Sequence, residues 1–303
     1  MTVERIAIAD DAHGIRPREY RLPESTRLGR IRLQVADLER SLAFYETILG
    51  LRVVRRDGDS VGLGPHGEDR EIVRLHQLRT ARPVPKRGLL GLYHFAILLP
   101  DRASLGRFVA HLAEVGAYAG MSDHFVSEAV YLTDPDGLGI EVYADRPRDA
   151  WRYDEHQLYM TTNHLDVDDL VSAAHGERWT GMPTGTVLGH VHLYVGDIEL
   201  AEAFYHRALG FDKIVWSYPG ALFLSAGGYH HHLGTNTWAK GAPAATDEDA
   251  RLLEWEIVVP TATDAAEAGA HVIAAGYDAK PENDEWILTD PWGTRLRLVS
   301  ERK

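Results

Sequence analysis

One stretch of this chain occurs twice, and that repetition constrains the fold more than any other feature. RLGRIRLQVADLERSLAFYETILGLRVV begins at Arg27, and VLGHVHLYVGDIELAEAFYHRALGFDKIV begins at Val187. Val35 aligns with Val195, Asp37 with Asp197, Phe44 and Tyr45 with Phe204 and Tyr205, and Gly50 with Gly210, always at the same offset along the chain. Each copy reads as an alternating apolar strand, an Asp, and a helix that stops at Leu-Gly. A weaker copy follows each: YHFAILLPDRASLGRFVAHLAEVG from Tyr93 and EWEIVVPTATDAAEAGAHVIAAG from Glu254. Both are a short strand ended by Pro, then a helix ended by Gly. Both lead into a turn and a last strand, LTDPDGLGIEVY from Leu132 and LTDPWGTRLRLV from Leu288, where DPDG and DPWG are turn-forming runs.

The expected fold is therefore α+β, with four βαβββ units at about 27–80, 90–146, 187–240 and 251–302. An N-terminal half (1–146) and a C-terminal half (187–303) are joined by the longest non-repeating stretch, 147–186. A single unit cannot bury both faces of so small a sheet. The units are expected to pair into two curled mixed sheets, each around a cavity.

Composition narrows the chemistry. Cysteine is absent, which removes disulfides, thiolate metal sites and cysteine nucleophiles together. Any metal must be held by nitrogen and oxygen, and the 16 histidines make that feasible. A net charge of −13 and the lack of a long basic run speak against a nucleic-acid partner. No apolar stretch approaches a membrane span, and the N-terminal stretch up to Tyr20 lacks an apolar signal core. A cytoplasmic protein with no membrane partner is the expectation.

Four βαβββ units carrying V-x-D, FY, LG and DPDGxxIE resemble the vicinal oxygen chelate superfamily. That superfamily includes glyoxalase I, fosfomycin and bleomycin resistance proteins, and extradiol dioxygenases. The resemblance covers nearly all of the chain outside the segment before Arg27 and the connection. It implies metal ligands at the start of a unit's first strand and at the Glu of DPDGxxIE. Here the first-strand positions are Arg30, His94, His190 and Glu254, and the last-strand positions are Glu141 and Arg297. If units two and three share a cavity, it holds His94, His190 and Glu141, a set suited to iron(II) with open positions, manganese(II) being the alternative. Units one and four would then enclose Arg30, Glu254 and Arg297, a carboxylate between two guanidiniums that repel a cation. Sequential pairing would split both sets, so the 2+3 and 1+4 pairing is expected.

The same resemblance implies groups around the metal. Tyr131 and, further upstream, His124 precede Glu141 where extradiol enzymes carry a Tyr and a His. In GGYHHHLGTNTW, two glycines, one residue and then His point to His230 as an acid–base group. Strand alternation would put His232 on the same face and His231 on the other. This run, with GHVHLYV and YADRPR, resembles the bacterial extradiol dioxygenases that act on catechols. The implied partners are an aromatic diol and O2, with a homo-oligomer expected. A hydroquinone-cleaving enzyme, a glyoxalase-like metalloenzyme with a fourth protein ligand, and a metal-free drug-binding protein are the competing readings. Each residue also has a plainer use. A strand histidine is usually a core or surface group, Tyr131 can be a buried strand tyrosine, and the HHH run can be a solvated strand. The repeated Phe-Tyr pairs read as helix-to-sheet packing.

Overall fold

The computed structural model describes residues 13–301. The first unit comprises β1 (Arg27–Val35), α1 (Leu38–Thr47), β2 (Arg52–Asp57), β3 (Ser60–Gly64) and β4 (Val73–Gln77). The second comprises β5 (Gly91–Leu98), α2 (Arg102–Val115), β6 (Gly120–Asp123), β7 (Ser127–Thr133) and β8 (Gly139–Asp145). The connection holds a short hairpin, β9 (Tyr153–Asp154) and β10 (Gln157–Leu158), then α3 (Val167–Ser172). The third unit runs β11 (Val187–Tyr194), α4 (Ile198–Ala201), which continues as a π-helical stretch Glu202–Ala208, then β12 (Asp212–Val215), β13 (Ala221–Ser225) and β14 (Leu233–Asn236). The fourth is β15 (Arg251–Val259), α5 (Ala262–Ala274), β16 (Ala279–Glu282), β17 (Glu285–Thr289) and β18 (Arg295–Ser300).

The repeated Asp of each copy opens its helix. Asp37 accepts the backbone N–H of Arg40 and Asp197 that of Leu200, so each caps an otherwise unpaired helical donor. Gly50 and Gly210 leave the helices at φ 78° and 99°, a region in which other residues are strained. Among the described residues, no helix is long and apolar enough to cross a membrane.

The strands form two eight-stranded mixed sheets, β16-β17-β18-β15-β1-β4-β3-β2 and β12-β13-β14-β11-β5-β8-β7-β6. Units one and four therefore share one sheet, and units two and three share the other. The seams are antiparallel: Arg32 lies opposite Glu254 across β1 and β15, and His94 opposite His192 across β5 and β11. One hydrophobic core, with Leu33, Phe95, Val191 and Trp255 fully buried, runs through both sheets.

Two tyrosines add polar links that the periodicity does not reveal. Asp134 of DPDG accepts the N–H groups of Asp136 and Leu138, and Tyr45 O–H donates to it at 3.3 Å. Asp290 of DPWG accepts from Trp292 and Thr294, and Tyr205 O–H donates to it at 2.8 Å. The second residue of each Phe-Tyr pair thus ties unit one to unit two, or unit three to unit four, across the sheet boundary.

Candidate metal centre

Strand register brings three distant side chains to one point. His94 is on β5, Glu141 on the adjacent parallel β8, and His190 on the adjacent antiparallel β11. Their candidate ligand atoms all lie within 4.8 Å of one another, and all three residues are buried. Among the described residues this is the one such group of three or more His, Cys, Asp or Glu side chains. His94 Nε2 is 3.0 Å and His190 Nε2 3.1 Å from the same oxygen, Glu141 Oε2. His94 Nε2 makes no directional hydrogen bond there, and Nδ1 of both rings is buried without a partner. Two imidazole nitrogens crowding one carboxylate oxygen, one of them orphaned, fit a site built for a cation.

The protonation states suit ligation. Burial alone would raise the Glu141 pKa, but the close approach of His190 first and His94 second outweighs it, holding Glu141 well below the usual carboxylate range. Burial pushes His190 down to about 4 despite the pull of Glu141. A carboxylate and a neutral imidazole are the forms that bind a metal.

A cavity of about 230 Å³ opens beside the three residues, lined by Tyr93, His124, Tyr131, His192, Phe223, His231 and Trp238 among others. The connection contributes Met160, Thr161 and Thr162 to the lining. His124 Nδ1 lies 2.6 Å from the Thr161 carbonyl, which can only accept, so Nδ1 carries the proton. The bare His124 Nε2 then accepts the Tyr131 O–H at 2.7 Å. Burial, followed by the nearby Glu141, raises the Tyr131 pKa well above 10 and keeps the phenol protonated. Asn236 Nδ2 contacts His192 Nε2 at 2.9 Å, and burial holds His192 well below its ordinary pKa.

The histidine run differs from the expectation. It lies in the bend before β14 rather than in a strand. His230 does not line the cavity; its Nε2 is 2.9 Å from Asp145 Oδ1. His231 lines the cavity instead, with its ring centroid 4.0 Å from that of His190. His232 turns the other way, where Nδ1 accepts the Ala226 N–H. In the other sheet, Arg297 holds Glu254 through two hydrogen bonds, as expected. The second guanidinium near Glu254 is Arg32 at 3.7 Å, whereas Arg30 pairs with Glu256 and Glu71. Glu256 faces β1 at a position the repeat does not single out, and it captures Arg30 at 2.8 Å.

The model of the glyoxalase/bleomycin resistance protein/dioxygenase superfamily matches residues 27–142 and 187–298. The chain belongs to this superfamily. A catechol-2,3-dioxygenase of Bacillus subtilis (strain 168) is 43% identical over 272 residues, spanning 88% of this chain and 95% of the relative. Among solved structures, a candidate dioxygenase from Bacillus subtilis subsp. subtilis strain 168 superposes with a TM-score of 0.65 at 13% identity, over 94% of this chain and 87% of that one. Glyoxalase I from Zea mays gives a TM-score of 0.55 at 18% identity, over 91% and 92% of the two chains. The superfamily match takes in all three converging residues and omits 143–186. Part of the cavity lining thus comes from outside the residues matched by the superfamily model.

Proposed function

We propose that this protein is an extradiol ring-cleaving dioxygenase, which opens catechol or a substituted catechol beside its vicinal hydroxyls and inserts both atoms of O2. One observation carries the reading: two imidazoles and one carboxylate from adjacent units converge beside a small aromatic cavity, with no fourth His, Cys, Asp or Glu in the group among the described residues. Three protein ligands leave coordination positions open, as non-haem iron(II) oxygenases require. His94, Glu141 and His190 hold the metal, which we propose to be iron(II). Bound there, iron(II) would supply positions for the diol oxygens and dioxygen and a route for electrons from the ring.

The remaining roles belong to the chain's own groups. Tyr93, Phe223 and Trp238 present aromatic surface to a planar ring. Tyr131 gives its one O–H to the lone pair of His124 Nε2, so His124 acts on the substrate through Tyr131. The Tyr131 oxygen, whose hydrogen is held by His124, accepts a hydrogen bond from a substrate hydroxyl and fixes the ring's orientation. His231, the member of the histidine run inside the cavity, serves as the acid–base group. Met160, Thr161 and Thr162 form part of the wall that keeps water from the ring. The cavity is smaller than the roughly 300–1,000 Å³ typical of sites for drug-sized ligands, which favours a single-ring substrate over a trapped drug.

The test is anaerobic loading of purified protein with iron(II), and in parallel manganese(II), followed by oxygen and a series of catechols and hydroquinones. The expected result is a yellow muconic semialdehyde from a catechol, one O2 consumed per ring, and both atoms of 18O2 in the product. Glu141→Ala should lose bound metal and at least about a hundredfold in kcat/KM, as removal of an essential metal ligand implies. Ring opening of no catechol by either metal-loaded form would overturn the proposal. Opening of hydroquinone alone would overturn the catechol assignment.

A further inference from the structure

Behind His231 lies a buried chain of polar groups that the proposed chemistry does not use. His230 Nδ1 is 2.7 Å from His231 Nδ1, and His230 Nε2 is 2.9 Å from Asp145 Oδ1. His230 is fully buried, whereas the Asp145 side chain is 28% exposed. Tyr229 O–H donates to the same Asp145 oxygen at 3.2 Å, and Tyr143 O–H backs Tyr229 at 2.6 Å. Trp151 packs edge-on against the His230 ring at 5.6 Å. Asp145 ends β8, the strand that carries Glu141, so the outer end of the chain is anchored to the same element as the candidate metal centre.

The direction of these hydrogen bonds follows from the carboxylate, which can only accept. With Asp145 accepting from His230 Nε2–H, neutral His230 has a bare Nδ1. Two bare nitrogens would repel at so close an approach, so His231 must place its proton on Nδ1. That leaves His231 Nε2 without a proton, and among the described residues it has no protein hydrogen-bond partner. The opposite tautomers would set a bare His230 Nε2 against the Asp145 carboxylate, lone pair to lone pair. We infer that Asp145 and His230 are positioning residues: they hold His231 protonated on Nδ1, so that a bare Nε2 faces the cavity and accepts a hydrogen bond from a substrate hydroxyl. The assignment rests on the dioxygenase reading for its catalytic meaning, but the tautomer itself does not. It explains why three histidines stand in a row. His231 meets the substrate, His230 sets its tautomer, and His232 packs behind the bend.

The deciding measurement is long-range 1H–15N NMR on protein labelled with 15N-histidine, metal-free and loaded with diamagnetic zinc(II), with His231 assigned from the spectrum of His231→Gln. His231 is expected as the Nδ1–H tautomer. His230→Phe, which removes the partner and keeps the ring volume, should shift His231 toward Nε2–H. In the iron-loaded enzyme it should lower kcat about 10- to 100-fold, part of what a positioned acid–base group supplies, with KM within about threefold. Asp145→Asn, at a partly exposed position, should move both readouts in the same direction by less. Metal content should match wild type in both variants. A wild-type His231 protonated on Nε2, or variants with unchanged tautomer and kcat, would overturn the inference. A wild-type iron enzyme that opens no catechol would overturn the function instead, and the spectra would still decide the tautomer.

Discussion

Two imidazoles aimed at a single carboxylate oxygen form a poor apolar core and a good ligand cage. Among the described residues, little besides their mutual contacts at 3.0 and 3.1 Å and the nearby Tyr131 hydroxyl replaces the hydration that His94, His190 and Glu141 lose on burial. A bound cation should therefore stabilise the native state by mass action, about 2.7 kcal/mol at a free metal concentration a hundred times Kd. Thermal unfolding with and without iron(II) or zinc(II) should show this gain in wild type and its loss in Glu141→Gln. A melting temperature indifferent to metal would count against a metal centre. The convergence of these three positions was legible because the family resemblance marks the ligand-bearing strand positions and the repeat numbers their equivalents. His231 was not legible: alternation applies to strands, and His230 to His232 lie in a bend. The close contact between the two adjacent imidazoles is a property of that bend, not of any period.

At the scale of elements, the DPDG and DPWG turns do more than reverse the chain. The turns themselves could be read from composition. Their bonds to Tyr45 and Tyr205 could not, because a repeat identifies equivalent residues and says nothing about which units touch. Asp134 sits under this link, and burial, aided by neighbouring Asp136, raises its pKa from 3.8 to about 7. A carboxyl raised in the folded state contributes stability that is fully present below pH 3.8 and lost as pH rises through about 7. Asp134→Asn mimics the protonated form and keeps an acceptor for the Asp136 and Leu138 N–H groups. The unfolding free energy of wild type relative to Asp134→Asn should thus fall by about 4 kcal/mol between pH 4 and pH 8, at about 1.36 kcal/mol per pK unit. Denaturant titrations of both proteins across that range measure it, and a pH-independent difference would sink the idea.

Across the whole molecule, the two sheets solve one electrostatic problem in two ways. Each buries a carboxylate at or next to its seam: Glu141 on β8, beside His94 and His190, in one, and Glu254 at the position of His94 in the other. The pairing of units one with four and two with three was legible only through the ligand positions that the resemblance implies, since no other pairing keeps the histidines and Glu141 together. The contribution of the connection to the cavity was not legible, because residues 147–186 have no second copy to align. In the sheet of units one and four, the protein supplies its own cation. Arg297 bonds both oxygens of Glu254 at 3.0 and 3.1 Å and also reaches Glu285 at 2.8 Å. Its counterpart position in the other sheet is Glu141, where we propose that the cation is iron. Removing Arg297 alone should then leave Glu254 buried and uncompensated, since Arg32 stands off at 3.7 Å. Arg297→Met is expected to cost about 3–5 kcal/mol of stability. Combining it with Glu254→Leu should recover most of that loss, because two apolar side chains need no counter-charge. Iron content and kcat should stay at wild-type values in both proteins, since neither residue lines the cavity between units two and three. Strictly additive losses in the double variant would mean that Arg297 and Glu254 are not energetically coupled. A fall in iron content would mean that the second sheet does more than support the first.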